Sequence, residues 1–438
     1  MSKARAVVLF SNPDYLRNYS ASGVVDIIAK ESDVHILCDE AIVEIARQMY
    51  PGHKVTGYRR NRRLEKVFGV LSLQKTKELK RLVPGFRLRL ERMQPSQLYL
   101  ATHGFKQLIK HWVKTTSDGL TVKAVVKLSG KRFWKRLVES CGLCQMLHKL
   151  GPTHIFIPCQ AVNYEVFTSA LYRDFKDTAA IDICLVDNWD NLCSKSVFLR
   201  PPRYVGVYGE QSCRFGARIH GLLESNMFIW GSPRYDVYQR TKERASVLGE
   251  TERYILYAGT HLFYDELADI KEWGDALNDL GRSGNTIRYL PHPARNVPVK
   301  YEDISRRGMS NVETIVRDRQ DQLGQLADLV NKASFVICGP TSLVLESLIC
   351  KKKVIVIARS DLSSYQSPAE VFSTYEHFHG IENNPLVRVF SERADRLEYI
   401  EWAHEKPKQK ALEESEIKLR YYIDTNVDRQ KIIWSLLR

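Results

Sequence analysis

Short runs of apolar residues, each stopped by a small or polar loop, recur along this chain and limit its fold more than any other feature. The first series is Ala6–Phe10, Val34–Cys38, His154–Pro158, Ala180–Val186, Tyr204–Tyr208 and Asn226–Trp230. The second is Tyr254–Tyr257, Thr286–Leu290, Ser334–Cys338 and Val354–Ile357. No run approaches the ~18 residues of a membrane span. They are mostly apolar, and Ala6–Phe10 is of the type buried on both sides. Stretches of helical character separate them: Val24–Ala29, Glu40–Met49, Leu262–Leu280, Gln322–Asn331 and Ser342–Cys350. A further strand is expected near Lys54–Thr56, and the polar Ser11–Gly23 reads as a loop. The chain is therefore α/β, with parallel sheets covered by helices. Gly231-Ser232-Pro233-Arg234 has the composition of an interdomain link. We expect one domain over 1–231, a second over 232–393, and a charged helical tail over 394–438.

Charge breaks this pattern in one place. The chain carries 65 Lys and Arg against 51 Asp and Glu, a formal charge of +14. From Arg59 to Lys149 there are 22 basic and 5 acidic residues, so the rest of the chain is close to neutral. This segment lacks clear strands. Phe105, Leu108, Ile109, Trp112 and Val113 form an apolar helical stripe, with Lys106, Lys110 and Lys114 on another face. Lys123 and Lys127 repeat the four-residue spacing. The segment reads as a basic helical insertion, residues 59–149, within the first domain. Its Lys stripes sit beside apolar stripes, which suits an anionic membrane surface or acidic glycan more than nucleic acid.

Nine cysteines among 438 residues are too few for a disulfide scaffold. Cys38, Cys184 and Cys338 lie inside apolar runs and read as small buried hydrophobes. Cys141 and Cys144 form a lone CxxC; His148 is near, but no fourth zinc ligand follows at suitable spacing. Reduced thiols and no metal are the expectation. The apolar run at Ala6–Phe10 is too short for a secretory signal, which suggests a cytoplasmic protein, peripheral on the inner face of the membrane.

Ligands of open α/β sheets bind beyond the carboxyl ends of strands, so the loops after the apolar runs are the places to search. After Ser334–Cys338 come Gly339, Pro340, Thr341 and Ser342, then an apolar helical stretch with Glu346 one turn on. A helix start with unpaired N–H groups and two hydroxyls suits a phosphate, and Glu346 would reach a ribose or sugar hydroxyl. Capping of the helix by Thr341 or Ser342 is compatible with this role. After Thr286–Leu290, His292 lies between Pro291 and Pro293, where it could donate to a phosphate oxygen or protonate a leaving group. After Tyr254–Tyr257, Gly259 permits close approach of a ligand, and Thr260 precedes His261.

In the first domain, Asp187-Asn188-Trp189-Asp190-Asn191 follows a strand. Asp187 or Asp190 could deprotonate an acceptor hydroxyl; pairing with Lys195 would make the cluster structural instead. Asp14 and Glu210 are rival carboxylates. No Walker sequence, usefully placed GxGxxG or HExxH occurs, which argues against an NTPase, a classical dehydrogenase and a zinc protease.

Taken in order, Gly231–Asp236, Tyr254–Thr260, His292-Pro293 and Ala333–Ser342 resemble the CDP-glycerol glycerophosphotransferase family. The His-Pro and Thr-Ser pairs also look like the nucleotide-binding pairs of bacterial sialyl- and Kdo-transferases. Asp187–Asn191, Tyr208–Gln211 and the Gly-Ser-Pro link are similar to surface-carbohydrate biosynthesis proteins. One difference stands out: teichoic-acid polymerases usually carry an acidic loop where this chain has Gly339–Ser342. The resemblance implies the GT-B fold, two Rossmann-like domains facing a cleft. It also implies a glycosyltransferase of surface polysaccharide or capsule synthesis, with a nucleotide-sugar donor and a glycan or lipid-linked acceptor. His292, Thr341 and Ser342 would then hold the donor phosphates. A CDP-polyol phosphotransferase and a UDP-sugar 2-epimerase are the enzymatic alternatives; a nucleic-acid-binding protein is the non-enzymatic one.

Overall fold

In the first strand, successive side chains point to two different cores. A computed structural model describes residues 3–92, 131–159, 163–176, 178–195, 197–241, 254–262, 264–282, 284–292, 309, 311–315, 322–361 and 366–438. Strand β1 (Ala4–Phe10) sends Ala6, Val8 and Phe10 into one apolar cluster and Val7 and Leu9 into another. The same division runs through β2 (Ser32–Asp39), β4 (His154–Cys159) and β5 (Ile181–Val186). Alternate side chains of a strand face opposite ways, so a run apolar at every position needs cover on both faces. Each large side chain buried in this way contributes about 1.5–3 kcal/mol.

With β3 (Lys54–Tyr58), β6 (Tyr204–Val207) and β7 (Met227–Ile229), these strands form a seven-stranded sheet in the order β3-β2-β1-β4-β5-β6-β7. Every neighbouring pair is parallel. A second sheet runs β10-β9-β8-β11-β12-β13 and is also parallel throughout. Its strands are β8 (Tyr254–Ala258), β9 (Ile287–Leu290), β10 (Val312–Thr314), β11 (Ala333–Cys338), β12 (Val354–Ile357) and β13 (Val387–Phe390). Both sheets start at a central strand, add two strands on one side and then switch to the other, the doubly wound order of a dinucleotide-binding fold. The chain divides into two compact units, Met1–Pro233 with Asn426–Arg438, and Arg234–Thr425. The C-terminal tail is thus shared: helices Arg396–His404 and Gln409–Tyr422 belong to the second unit and Arg429–Leu436 to the first.

The basic segment supplies a helical layer to one face of the first sheet. Helices Arg62–Leu79, Pro84–Arg92, Lys131–Glu139 and Gly142–Leu150 lie within it. Leu64, Leu79, Phe86, Trp134, Leu137, Leu143 and Leu147 pack into the cluster that holds Val7 and Leu9. Arg60 ties the layer to the sheet edge through ion pairs with Asp39 at 2.9 Å, Glu65 at 3.1 Å and Glu165 at 2.7 Å. Burial raises the pKa of Glu165, against the lowering pull of Arg60 and of the Tyr58 hydroxyl, which donates to it at 2.7 Å. Lys106, Lys110, Lys114, Lys123, Lys127 and Pro293 lie outside the described residues.

One sequence expectation is corrected. Ser11–Gly23 is not a loop, because Pro13–Ser22 is helical. The Asn12 side chain accepts the Asp14 N–H at 2.7 Å, Pro13 occupies the first turn, and Gly23 ends the helix at φ 71°. That is a complete set of start and stop signals, and Tyr15, Leu16 and Tyr19 form the buried face. The short strands β10 and β13 also escape the sequence pattern. Asn12→Ala should destabilise the protein by about 1 kcal/mol; urea unfolding followed by circular dichroism would measure it, and an unchanged midpoint would show that the cap contributes nothing.

Candidate functional site

In the second unit, β9, β8 and β11 are neighbours, so the loops leaving their carboxyl ends are adjacent. The switch of strand order falls between β8 and β11. There the chain is packed too closely for any side chain at two positions. A Cβ on Gly339 would strike the Thr260 methyl, and one on Gly259 would come within 2.5 Å of Glu266 Oε2.

Thr260 is fully buried and faces inward. Its N–H donates to Glu266 Oε1 at 2.7 Å, and its Oγ1 accepts the Leu262 N–H at 3.0 Å. Tyr289 donates to the other oxygen of Glu266 at 2.5 Å. Thr260 and Glu266 therefore brace the loop and fix the course of His261. The His261 and His292 rings lie 5.8 Å apart, centroid to centroid, at 61°. On the other side of β8, Thr341 Oγ1 accepts the Leu343 N–H at 3.3 Å. Ser342 stands at the start of helix Leu343–Ile349 without giving its side chain to the cap. Both hydroxyl residues are half-buried. Glu346, one turn along, is buried and forms an ion pair with Arg234. That guanidinium also lies 4.8 Å from the Tyr235 ring centroid. Burial and then the charge of Glu346 push the Cys338 thiol up to about 12, so this strand end offers no thiolate.

The first unit gathers polar groups at the matching edge. Asp187, directly after β5, is 1% exposed. Ser232 donates its hydroxyl to Oδ1, Asn18 donates to Oδ2 at 3.5 Å, and Tyr208 donates to the Asp187 carbonyl at 3.1 Å. Burial, then the charge of Asp187, raises the pKa of Tyr19 well above that of a free phenol. Trp189 is buried and donates from Nε1 to Gln211 at 2.9 Å. Asp190 pairs with Lys195 at 2.7 Å, and its carbonyl accepts the Ser194 hydroxyl at 2.8 Å within a π-helical turn, Asn191–Lys195. Such turns are often found at functional sites. At the switch point of this sheet, Asn163 donates to Ser11 at 3.1 Å. Asp14 pairs with Arg17 on a half-buried helical turn and Glu210 with Arg214 on an exposed one.

The structure thus brings Gly259, Thr260, His292, Gly339, Thr341, Ser342 and Glu346 to one edge of one sheet, and Asp187 and Asp190 to one loop in the other unit. It adds His261, Arg234, Glu266, Ser232 and Asn18. His261 follows Thr260 directly, and Arg234 stands in the quoted link, so both were available to a reader of the sequence. Asn18 was hidden by reading its helix as a loop. Among the described residues no group of three or more His, Cys, Asp or Glu side chains could hold a metal ion, and no helix is long and apolar enough to cross a membrane.

No protein-family model matches this sequence, and no curated protein does. Solved structures match in fold. UDP-GlcNAc 2-epimerase from Neisseria meningitidis, bound to UDP-GlcNAc, is 11% identical with a TM-score of 0.54, over 99% of both chains. The epimerase of Methanocaldococcus jannaschii is 10% identical with a TM-score of 0.51, over 99% of both. A glycosyltransferase from Rickettsia africae is 9% identical with a TM-score of 0.50, over 100% of this chain and 97% of that one. The fold is the GT-B class, with two Rossmann-like domains.

His220 holds the π-helical turn in place, its Nε2 meeting the Leu192 carbonyl at 2.8 Å. Burial lowers its pKa to about 4, partly offset by that carbonyl. The unfolded chain protonates this group near pH 6.5, above the folded value, so the neutral ring's contribution is complete above pH 6.5 and is lost as pH falls towards 4. A loss on the order of 2–3 kcal/mol over this interval is expected. His220→Gln should flatten that part of the profile; chemical denaturation across pH would show it, and an equal slope in both proteins would refute the assignment.

Proposed function

We propose that this chain is a glycosyltransferase that moves a sugar from a nucleotide donor to a surface-glycan or lipid-linked acceptor. The observation that carries this reading is the convergence of His261, His292, Thr341, Ser342 and the Arg234–Glu346 pair on three adjacent strand ends of the second sheet. Strand ends flanking a switch point are where doubly wound sheets bind nucleotides. The likeness in fold to a protein solved with UDP-GlcNAc bound supports a nucleotide sugar as the ligand class.

In this reading the imidazoles and the two hydroxyls donate to the diphosphate as negative charge builds on the leaving group, and so favour the transition state over the bound substrate. Ser342 is the better placed of the two hydroxyls, because Thr341 already accepts a backbone N–H. Arg234 holds Glu346 in one orientation, which suits a carboxylate accepting from ribose or sugar hydroxyls. The first unit supplies the acceptor base. Asp187 and Asp190 remain the two candidates. Asp187 acts only once its Ser232 hydroxyl turns aside, and Asp190 only once Lys195 releases it. No metal is assigned a role. A UDP-sugar 2-epimerase is the second reading, favoured by the His261–His292 pair, which places a second titratable ring beside the first; such an enzyme turns over its donor with no acceptor present.

The first unit also meets an anionic membrane surface in this proposal. Among the described side chains of the basic segment, thirteen Lys and Arg are exposed, against two acids, Glu78 and Glu139. Leu82, between Arg81 and Val83, is 75% exposed.

Two experiments test these assignments. Calorimetric titration with CMP, UDP and CDP should find one that binds, and the Thr341→Ala, Ser342→Ala double variant should bind it at least about tenfold more weakly, the loss of one or two charge-assisted hydrogen bonds. Equal affinity in a folded variant would remove the phosphate assignment. In vesicle flotation the protein should prefer anionic to neutral lipid, and Lys80→Ala with Arg81→Ala should weaken that binding by about an order of magnitude or more. Equal flotation with both lipids would refute membrane docking.

A further inference from the structure

We propose that Cys141 and Cys144 are a reversible dithiol–disulfide site, oxidised by small disulfides of the glutathione class. This goes beyond the transferase reading and does not depend on it.

Cys141 is the N-cap of helix Gly142–Leu150, and Cys144 is its third residue. That spacing places the two cysteines on the same turn at the helix start, the arrangement of a CxxC pair that can close on itself. Residues three apart at a helix start are neighbours on one face of the turn, and a disulfide there needs their Cα atoms within roughly 4.4–6.8 Å. No large backbone movement is needed to close the bond.

The surroundings favour a thiolate on Cys141. The Tyr164 hydroxyl lies 3.5 Å from its Sγ, and the side chain stands at the start of the helix. Hydrogen bonding to Cys144 leads in lowering its pKa to about 6, against the cost of burial. The pKa of Cys144 rises, driven first by the same hydrogen bond. One sulfur is thus the nucleophile and the other stays a protonated resolving thiol, the division of labour that CxxC exchange requires.

The step balances. The Cys141 thiolate attacks one sulfur of the small disulfide and expels one thiolate, leaving a mixed disulfide. Cys144 gives up its proton and attacks Cys141 Sγ, expelling the second thiolate. Two protein thiols are oxidised and one small disulfide is reduced to two thiols. Both cysteines are buried, so entry requires local opening of the first helical turn. That turn is flanked by exposed Glu139 and Ser140.

The site is wired to the basic layer. Tyr164 accepts the Asn61 N–H at 3.2 Å, and Asn61 caps helix Arg62–Leu79 through the N–H groups of Arg63 and Leu64. The Asn61 side chain also donates to Ser140 Oγ at 3.0 Å. A Cβ on Gly142 would come within 2.7 Å of the Arg59 carbonyl, so the two helix starts are packed backbone to backbone. Oxidation turns the Cys141 thiol that Tyr164 contacts into a disulfide sulfur, with no S–H and no negative charge, and so bears directly on this junction.

The test equilibrates the full chain in about a tenfold excess of oxidised over reduced glutathione, followed by differential alkylation and peptide mass spectrometry. A Cys141–Cys144 disulfide should form while circular dichroism stays native, and dithiothreitol should restore both thiols. Cys144→Ala should instead trap one glutathione on Cys141, a signature that mere structural thiols would not give, and Cys141→Ser should trap none. The proposal is overturned if both thiols stay free, if they are lost only as the protein unfolds, or if Cys144→Ala acquires no glutathione.

Discussion

Everything in this protein follows from strands that are parallel and apolar on both faces. A parallel pair cannot be closed by a tight turn, so each strand must be followed by a crossover that returns over a face of the sheet. The apolar alternation of β1, with Val7 and Leu9 on one side and Ala6, Val8 and Phe10 on the other, demands those crossovers on both faces. The inevitable result is that all strands deliver their carboxyl ends to the same edge. The candidate residues of each unit sit on that edge, where the loops on either side of the switch point diverge and leave a crevice.

The two edges differ in how far their polar groups are already satisfied. In the second unit the scaffolding role falls to Glu266, Tyr289 and Thr260, a layer beneath the surface that spends its hydrogen bonds internally. The residues above it, His261, His292 and Ser342, inherit a fixed backbone. In the first unit the carboxylates themselves carry the structural bonds: Asp187 receives Ser232 and Asn18, and Asp190 receives Lys195. A group that holds its own loop together has to break a native contact before it can act on a substrate. The edge of the second unit is preorganised, whereas that of the first would have to rearrange to act.

Much of this was legible in the sequence, for a physical reason. Buried parallel strands write themselves as mostly apolar runs, so eleven of the thirteen strands among the described residues, counting the short one near Lys54–Thr56, and the loops after them could be located directly. What escaped was local or long-range. The helix Pro13–Ser22 looks polar on average, because only Tyr15, Leu16 and Tyr19 are buried, and its caps were the clue. Strands β10 (Val312–Thr314) and β13 (Val387–Phe390) are short and each is interrupted by a charged residue, Glu313 and Arg388. The Arg234–Glu346 pair and the Ser232–Asp187 bond join residues 112 and 45 positions apart, and no spacing rule foretells such partners. The likeness of the His-Pro and Thr-Ser pairs to known nucleotide-binding pairs pointed to the strand ends that carry His292, Thr341 and Ser342; it could not say that Thr260 turns inward.

The closing helix, Arg429–Leu436, packs against helix Val24–Glu31 and buries Ile433 in the core that holds Phe10, while Arg429 lies 5.6 Å from the Trp230 ring. Both ends of the chain are therefore anchored in the first unit, and residues 234–425 are in effect a domain inserted into a loop of it. The first unit cannot complete its core until the ribosome has finished the second. A chain interrupted late in synthesis carries an intact second unit and a first unit with an open apolar groove. Conversely, one cut between Pro233 and Arg234 leaves two fragments still joined by the packing of that last helix. The order of synthesis and the order of completion run in opposite directions.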